Sequence, residues 1–324
     1  MRRELRHRLE DRAAGIASVL VRLLTRRAAL ALGGWLGRIL GDLDRRHVSI
    51  AVDSLRRAFP HWDEARALRT AREVYAHFGG VLFEILWLRG RPAEQVLRYV
   101  EIVGREHVEA AIAAGRGVVF PTGHIGNWEI TALCHGWVFG PLGVVARPLD
   151  NPLLETRLLA VRVQGSNTVI SKKKALAQVL RILREGGGVG ILIDQNVQEQ
   201  DGIFVEFFDR PAATTTVAAA LAVKTGCALV PGYTRRLPDG RYQLVYQPAL
   251  RWAPSGDRRA DIARLTQAAT RCIEGWVRET PEQWLWMHRR WHTQPRVPAP
   301  EPSAAGQGPS PRGEREPAEP GAAG

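Results

Sequence analysis

Between Val48 and Leu88 the apolar positions recur at helical spacing. One helix is predicted from Val48 to Phe59, closed by Pro60. A second, longer one starts at an Asp63 N-cap and runs to Leu88, its inner face built from Val74, Phe78, Val81, Leu82, Ile85 and Leu86. Gly90, Arg91 and Pro92 end it. From Val100 onward short apolar runs alternate with amphipathic ones. The pattern predicts strands near Val100–Val103, Gly117–Phe120, Val144–Ala146, Thr168–Ile170, Val189–Ile193 and Ala228–Gly232. Helices are expected between them, at about Glu106–Ala114, Asn127–Trp137, Pro152–Gln164, Lys173–Glu185 and Thr214–Thr225. A hairpin, Tyr233–Arg236 with Tyr242–Tyr246, is expected around Pro238-Asp239-Gly240. A helix from Asp257 to Glu279 and a last ordered element, Pro281–Trp291, complete the reading.

Such alternation predicts an α/β fold with a largely parallel central sheet flanked by helices, in which a site gathers at the carboxyl ends of strands. Three regions are drawn: a basic amphipathic segment over residues 1–46, a main domain over 47–294, and a tail over 295–324. The tail is rich in Pro, Gly, Ala, Glu and Ser, and is expected to be disordered.

One of these carboxyl ends carries chemistry. The stretch Gly117–Ile130, GVVFPTGHIGNWEI, reads as a buried strand, a tight turn holding His124, and a helix beginning near Asn127 that carries Glu129. With His124 in the turn and Glu129 in the first helical turn, the carboxylate is placed to reach back to the ring and leave the other ring nitrogen free to take a proton. The alternative is a turn histidine beside a first-turn acid favoured by the helix dipole. GxSxG is absent, so the oxygen to be activated belongs to a substrate. Asp194 follows the strand 189–193, Arg162 lies on the helix 152–164, and Arg147 ends a strand. These polar groups are expected to converge on His124, Asp194 pinning a guanidinium while the arginines meet an anionic substrate or a developing oxyanion. A purely structural Arg–Asp pair is the alternative.

Charge narrows the partners. The chain of 324 residues has 45 Lys+Arg against 33 Asp+Glu and a net charge of +12, mostly from arginine. Arginine forks suit phosphate, so an anionic partner is expected. Residues 1–46 hold eleven arginines against five acids, around the apolar runs Ala13–Val21 and Ala28–Gly37. Neither run reaches the roughly 18–20 residues that span a bilayer. A shallow basic membrane anchor or a soluble helical hairpin fits. PEQWLWMHRRW, residues 281–291, mixes Trp284, Trp286 and Trp291 with Arg289 and Arg290, which suits a membrane interface or an aromatic helix closing the core. Three cysteines lack metal-type spacing, and His288 with His292 lacks a third ligand, so no metal is expected. No nucleic-acid motif is present.

Five blocks in order, GHIGNWE, RPLDNPLLETRLLAVR, GILIDQN, FFDRPAATTTVAAALAVKTG and PEQWLWMHRRW, resemble the late acyltransferases of lipid A biosynthesis, the lauroyl/myristoyl type within the lysophospholipid-acyltransferase-like superfamily. The resemblance covers roughly Arg45–Trp291. It implies transfer of a fatty acyl group, usually from acyl carrier protein, to a hydroxyl of an acylated, phosphorylated glucosamine disaccharide at the cytoplasmic face of the bacterial inner membrane. No bound cofactor is implied; acyl-acyl carrier protein, or acyl-coenzyme A, is the co-substrate. By matching block, His124 is the implied base, Glu129 its partner, Arg162 and Asp194 further site residues, with Arg147 beside them. Asp53 stands where the family pattern suggests Asn, and Arg22 interrupts the N-terminal apolar segment. The same chemistry on a lysophospholipid or a phosphatidylinositol mannoside is the nearest alternative. A non-catalytic basic protein that binds a membrane or nucleic acid is the more distant one.

Overall fold

The computed structural model describes residues 2–171 and 175–295. The expected tail lies, but for Pro295, outside the described residues. Four helices come first: α1 (Arg2–Leu23), α2 (Arg26–Leu43), α3 (Arg45–Ala58) and α4 (Glu64–Leu88), followed by the short α5 (Ala93–Leu97). Asp63 caps α4 as expected, its carboxylate accepting from the Arg66 N–H at 2.6 Å.

The seam between α2 and α4 depends on small residues. Ala29, Gly33, Gly37 and Gly41 recur every four residues, placing them along one face of α2. A Cβ on Gly33 would run into the Gly79 carbonyl, and one on Gly37 into the Tyr75 carbonyl. The two backbones therefore approach closely, as helices with small-residue faces do. Away from that seam α2 exposes the apolar side chains Leu32, Trp35, Ile39 and Leu43, and a single stripe of α1 is likewise apolar and exposed (Leu5, Leu9, Ile16, Val19, Leu20, Leu23). No described helix is long and apolar enough to cross a membrane.

Residues 2–46 are joined to the rest of one compact unit that ends at Gln294. Besides the α2–α4 seam, α1 is tied down by Asp11, which pairs with Arg157 at 2.5 Å, and by Asn151, which donates to the His7 carbonyl at 3.1 Å and to Glu10 at 2.8 Å.

The βα alternation then builds the expected parallel sheet. Its strands are β2 (Val118–Thr122), β3 (Leu142–Ala146), β4 (Thr168–Ser171), β5 (Gly188–Leu192) and β8 (Ala228–Leu229), ordered β4-β3-β5-β2-β8. The remaining strands stand apart. β1 (Val100–Val103) pairs with the second strand of the predicted hairpin, β10 (Tyr242–Tyr246), which pairs with β9 (Gly232–Arg236). An unpredicted hairpin, β6 (Ile203–Glu206) with β7 (Pro211–Thr214), turns at Phe208 and Asp209, both at positive φ. Helices α6 (Arg105–Ala113), α7 (Trp128–Phe139), α8 (Pro152–Arg162), α9 (Ala175–Arg184), α10 (Val217–Thr225) and α11 (Arg258–Glu279) complete the fold.

The segment after α11 is a correction. Pro281–Gln283 forms a short 3-10 turn, and residues 284–291 continue without a regular helix. Trp284, Trp286, Trp291 and Arg290 are buried. Trp286 packs with Phe59 and Phe208, so these indoles close the core and do not face a surface.

Replacing Gly37 by leucine is expected to destabilise the protein by about 1–3 kcal/mol or more, because the side chain meets backbone that cannot move aside. Thermal melting of the variant checks this; an unchanged midpoint would show that the α2–α4 seam is not tight.

Candidate active site

Strands β2 and β5 lie side by side in parallel, with Thr122 opposite Leu192, and the Ile193 N–H continues the ladder to the Thr122 carbonyl at 3.0 Å. Two residues past each strand end stand His124 and Asp194. The register therefore brings together an imidazole and a carboxylate 70 residues apart in sequence. Nδ1 of His124 lies 2.8 Å from Asp194 Oδ1, and the His124 backbone N–H donates to Oδ2 at 2.6 Å. Trp284 donates its indole N–H to the same oxygen at 2.8 Å.

Asp194 is buried, and burial alone would push its carboxyl up. The charge and hydrogen bond of His124, with the backbone N–H, instead hold it well below the usual carboxylate range. An ionised Asp194 can only accept, so Nδ1 carries the proton and Nε2 the lone pair. Burial also works against protonating His124. The Asp194 carboxylate, through charge and hydrogen bond, and the charge of Glu129 outweigh it, so the imidazole pKa is raised above the ordinary value. The His124 side chain keeps 20% exposure, and Nε2 has the Gln195 amide 3.5 Å away.

Glu129 does occupy the first turn of α7, but the expected hydrogen bond to His124 is not formed. Its carboxylate is taken by Arg162, the last residue of α8, through Nε at 2.9 and 3.1 Å and Nη2 at 2.6 Å, with the Trp128 indole N–H at 3.2 Å. Glu129 thus touches His124 only by charge. The second correction mirrors the first: Asp194 pins the imidazole, and the guanidinium is pinned by Glu129. Arg162 keeps Nη1 buried without a hydrogen-bond partner among the described residues. Arg147 is not brought in. Its side chain is 81% exposed and pairs with Asp150 at 3.5 Å.

Sequence reading missed the part played by the Pro281–Trp286 segment. Gly126 N–H donates to the Gln283 carbonyl at 2.9 Å, and Leu285 N–H to the His124 carbonyl at 3.0 Å, so this segment pairs with the turn that carries His124 and delivers Trp284 to Asp194. Trp128, whose ring meets the His124 ring edge-on at 5.1 Å, was visible only as a letter within GHIGNWE.

The family model for bacterial lipid A biosynthesis acyltransferases matches residues 7–293, nearly the whole described chain. The chain belongs to this family. As a lipid A biosynthesis acyltransferase family member it is an acyltransferase, and its similarities extend to named relatives. The lipid A biosynthesis lauroyltransferase of Escherichia coli (strain K12) is 29% identical over 266 residues, 82% of this chain and 85% of that protein. A lipid A biosynthesis acyltransferase of Haemophilus influenzae is 24% identical over 260 residues, 79% of each. The phosphatidylinositol mannoside acyltransferase of Mycobacterium tuberculosis (strain H37Rv) is 28% identical over 222 residues, 68% of each.

Asp194→Asn is expected to lower the His124 pKa, since the burial that opposes the imidazolium stays while the carboxylate that favours it is gone. An NMR titration of the imidazole measures this, and an unmoved midpoint would remove Asp194 as the cause of the shift.

Proposed function

We propose that this acyltransferase moves a fatty acyl chain from an acyl thioester, with acyl carrier protein as the donor, to a hydroxyl of an acylated lipid A precursor. The observation that carries the reading is the Asp194-held imidazole at the end of the parallel sheet, with its proton on Nδ1 and its lone pair on Nε2. In the proposed reaction His124 Nε2 takes the acceptor hydroxyl proton as that oxygen attacks the thioester carbonyl. The tetrahedral intermediate collapses with cleavage of the C–S bond, and the imidazolium returns the proton to the leaving thiolate. Arg162, held in place by Glu129, is the cation for a phosphate or an oxyanion, and its unpartnered Nη1 supports that assignment. Glu129 contributes by orienting Arg162 and by making the imidazole more basic.

The exposed apolar faces of α1 and α2 support docking at the cytoplasmic face of the inner membrane without spanning it. Arginines among those faces add about 1 kcal/mol of attraction each near an anionic leaflet. The wider coverage by the lipid A relatives, 79–82% of this chain against 68% for the mannoside acyltransferase, supports a lipid A acceptor. That relative keeps a phosphatidylinositol mannoside as the second reading.

The deciding assay offers purified protein in detergent acyl carrier protein or coenzyme A thioesters with either a tetra-acylated lipid A precursor or a phosphatidylinositol mannoside. One added acyl chain on the disaccharide, abolished in His124→Ala, is expected; transfer to the mannoside alone would overturn the acceptor. With His124 as base, activity falls as pH drops through its raised pKa, because the protonated ring cannot accept. Asp194→Asn is expected to shift that limb to lower pH and to cut kcat by about 10³-fold or more, the scale seen when a tautomer-fixing carboxylate is lost. A pH–rate profile identical to wild type would remove His124 from the base role.

A further inference from the structure

Behind the turn that carries His124 lies a second buried polar assembly, centred on α4. His77 and Glu84 are seven residues apart and so share a face of that helix, and both are buried, Glu84 completely. A carboxylate in such a place is costly unless every oxygen is engaged. Glu84 Oε1 accepts from Arg26 Nε at 2.6 Å, and Oε2 accepts from the Tyr242 hydroxyl at 2.6 Å and the Asn127 side-chain amide at 2.9 Å. Arg26, at the start of α2, is itself buried, with its guanidinium over the rings of Tyr99 and Tyr242.

Asn127 is where this assembly meets the site. It is the N-cap of α7, and its Oδ1 accepts from the Ile130 N–H at 3.2 Å. Its own backbone N–H donates to the Thr234 hydroxyl at 3.1 Å, and that hydroxyl donates to the Asn127 carbonyl at 2.9 Å. The preceding residue is held too. Arg236 Nη2 donates to His77 Nδ1 at 2.8 Å, which leaves Nε2 as the donor to the Gly126 carbonyl at 2.9 Å. Burial, then the Arg236 charge, keeps His77 neutral with a pKa of about 3, so this donor is constant across ordinary pH. Gly126 has φ +59° and no room for a Cβ against the Thr234 carbonyl, so only glycine fits where this backbone packs against β9. Glu129 follows Asn127 by two residues. Its position, and that of the guanidinium it holds, depends on where α7 starts.

We propose that Glu84 is a positioning residue for acyl transfer: acting through Asn127 it sets the start of α7, and with it Glu129 and Arg162 beside His124, and through Arg26 it links that placement to the seating of α2. Glu84 contacts no reacting atom. The proposal rests on the acyl-transfer reading of the same site. It separates Glu84 from a stabilising core pair, because a well-packed apolar replacement would serve stability as well, whereas only an acceptor at this point can hold the Asn127 amide.

The test has two readouts, one of them independent of any substrate. Hydrogen exchange followed by mass spectrometry on the full chain should show faster exchange over residues 124–131 in Glu84→Ala than in wild type, with the interior of α11 unchanged. Equal exchange over 124–131 would overturn the proposal even if no acyl transfer were ever detected. In the transfer assay, Glu84→Ala should lower kcat by about 100-fold with the thioester KM within about two-fold, the effect of misplacing catalytic groups by about an ångström. Glu84→Gln, whose amide oxygen still accepts from Asn127, should recover to within about 10-fold of wild type. Asn127→Ala, which also loses the cap to the Ile130 N–H, should fall at least as far as Glu84→Ala, and the double variant no further than Asn127→Ala, since Glu84 reaches α7 through the Asn127 amide. Should Glu84→Ala fail to fold, Glu84→Gln, Asn127→Ala and their double variant apply the same criterion. Multiplicative losses, or a wild-type kcat per folded molecule in Glu84→Ala with only a lower melting temperature, would make Glu84 structural. Loss of transfer in His124→Ala, measured in parallel, tests the acyl-transfer reading separately.

Discussion

The interaction on which the site depends is the pairing of His124 with Asp194. A buried carboxylate is stable only when its lone pairs are filled, and Asp194 is filled by an imidazole N–H, a backbone N–H and an indole N–H. Those donors come from the end of β2 and from the chain after α11, while the acceptor follows β5. The three elements must therefore meet correctly before the imidazole has a defined tautomer. Parallel registry of β2 with β5 supplies the first meeting, and the hydrogen bonds from Gly126 to Gln283 and from Leu285 to His124 supply the second. Trp284 is buried in that role, while Trp286 and Trp291 pack against Phe59, Phe207 and Phe208.

Around this pair the charges form a chain of alternating sign. Asp194 faces His124, and Glu129 adds its field from the other carboxylate before meeting Arg162. Each carboxylate has one cationic or ionisable partner close by, so neither is left uncompensated in a partly buried site. The arrangement raises the basicity of His124 and holds a guanidinium on the neighbouring carboxylate, Glu129, which suits a reaction in which a proton leaves one oxygen and negative charge gathers on another.

The N-terminal helices show a different balance. Their inner contacts are close backbone approach along Gly33 and Gly37 and the buried Arg26–Glu84 pair, while their outer faces are apolar. Small residues allow tight packing where apolar exteriors give little driving force for sorting one helix face from another. The buried Arg26–Glu84 pair and the Gly33 and Gly37 contacts belong to one register of α2 on α4, since a shift by one turn would part the ion pair and move both glycines. The same carboxylate reaches the N-cap of α7, so the outer helices and the site share one polar connection.

Local signals in the chain already determined much of this. Period and punctuation marked α3, α4, the βα units and the β9–β10 hairpin, because helix caps, turn residues and apolar spacing act within a few residues of each other. They also placed His124 at a strand end and Glu129 in the first turn of α7. What no local signal carries is strand order and register. Only the adjacency of β5 to β2 decides that Asp194, and not the nearer Glu129, receives the imidazole, and only the position of α8 decides that Arg162 meets Glu129 and that Arg147 stays outside. The same holds for Pro281–Trp291, whose tryptophans read as interfacial or helical until the turn at 124–126 uses their backbone as a pairing partner. Residue types and spacing determined which groups were available; tertiary packing decided which donor each acceptor received, because a hydrogen bond is fixed by distances of about 3 Å that sequence separation does not encode.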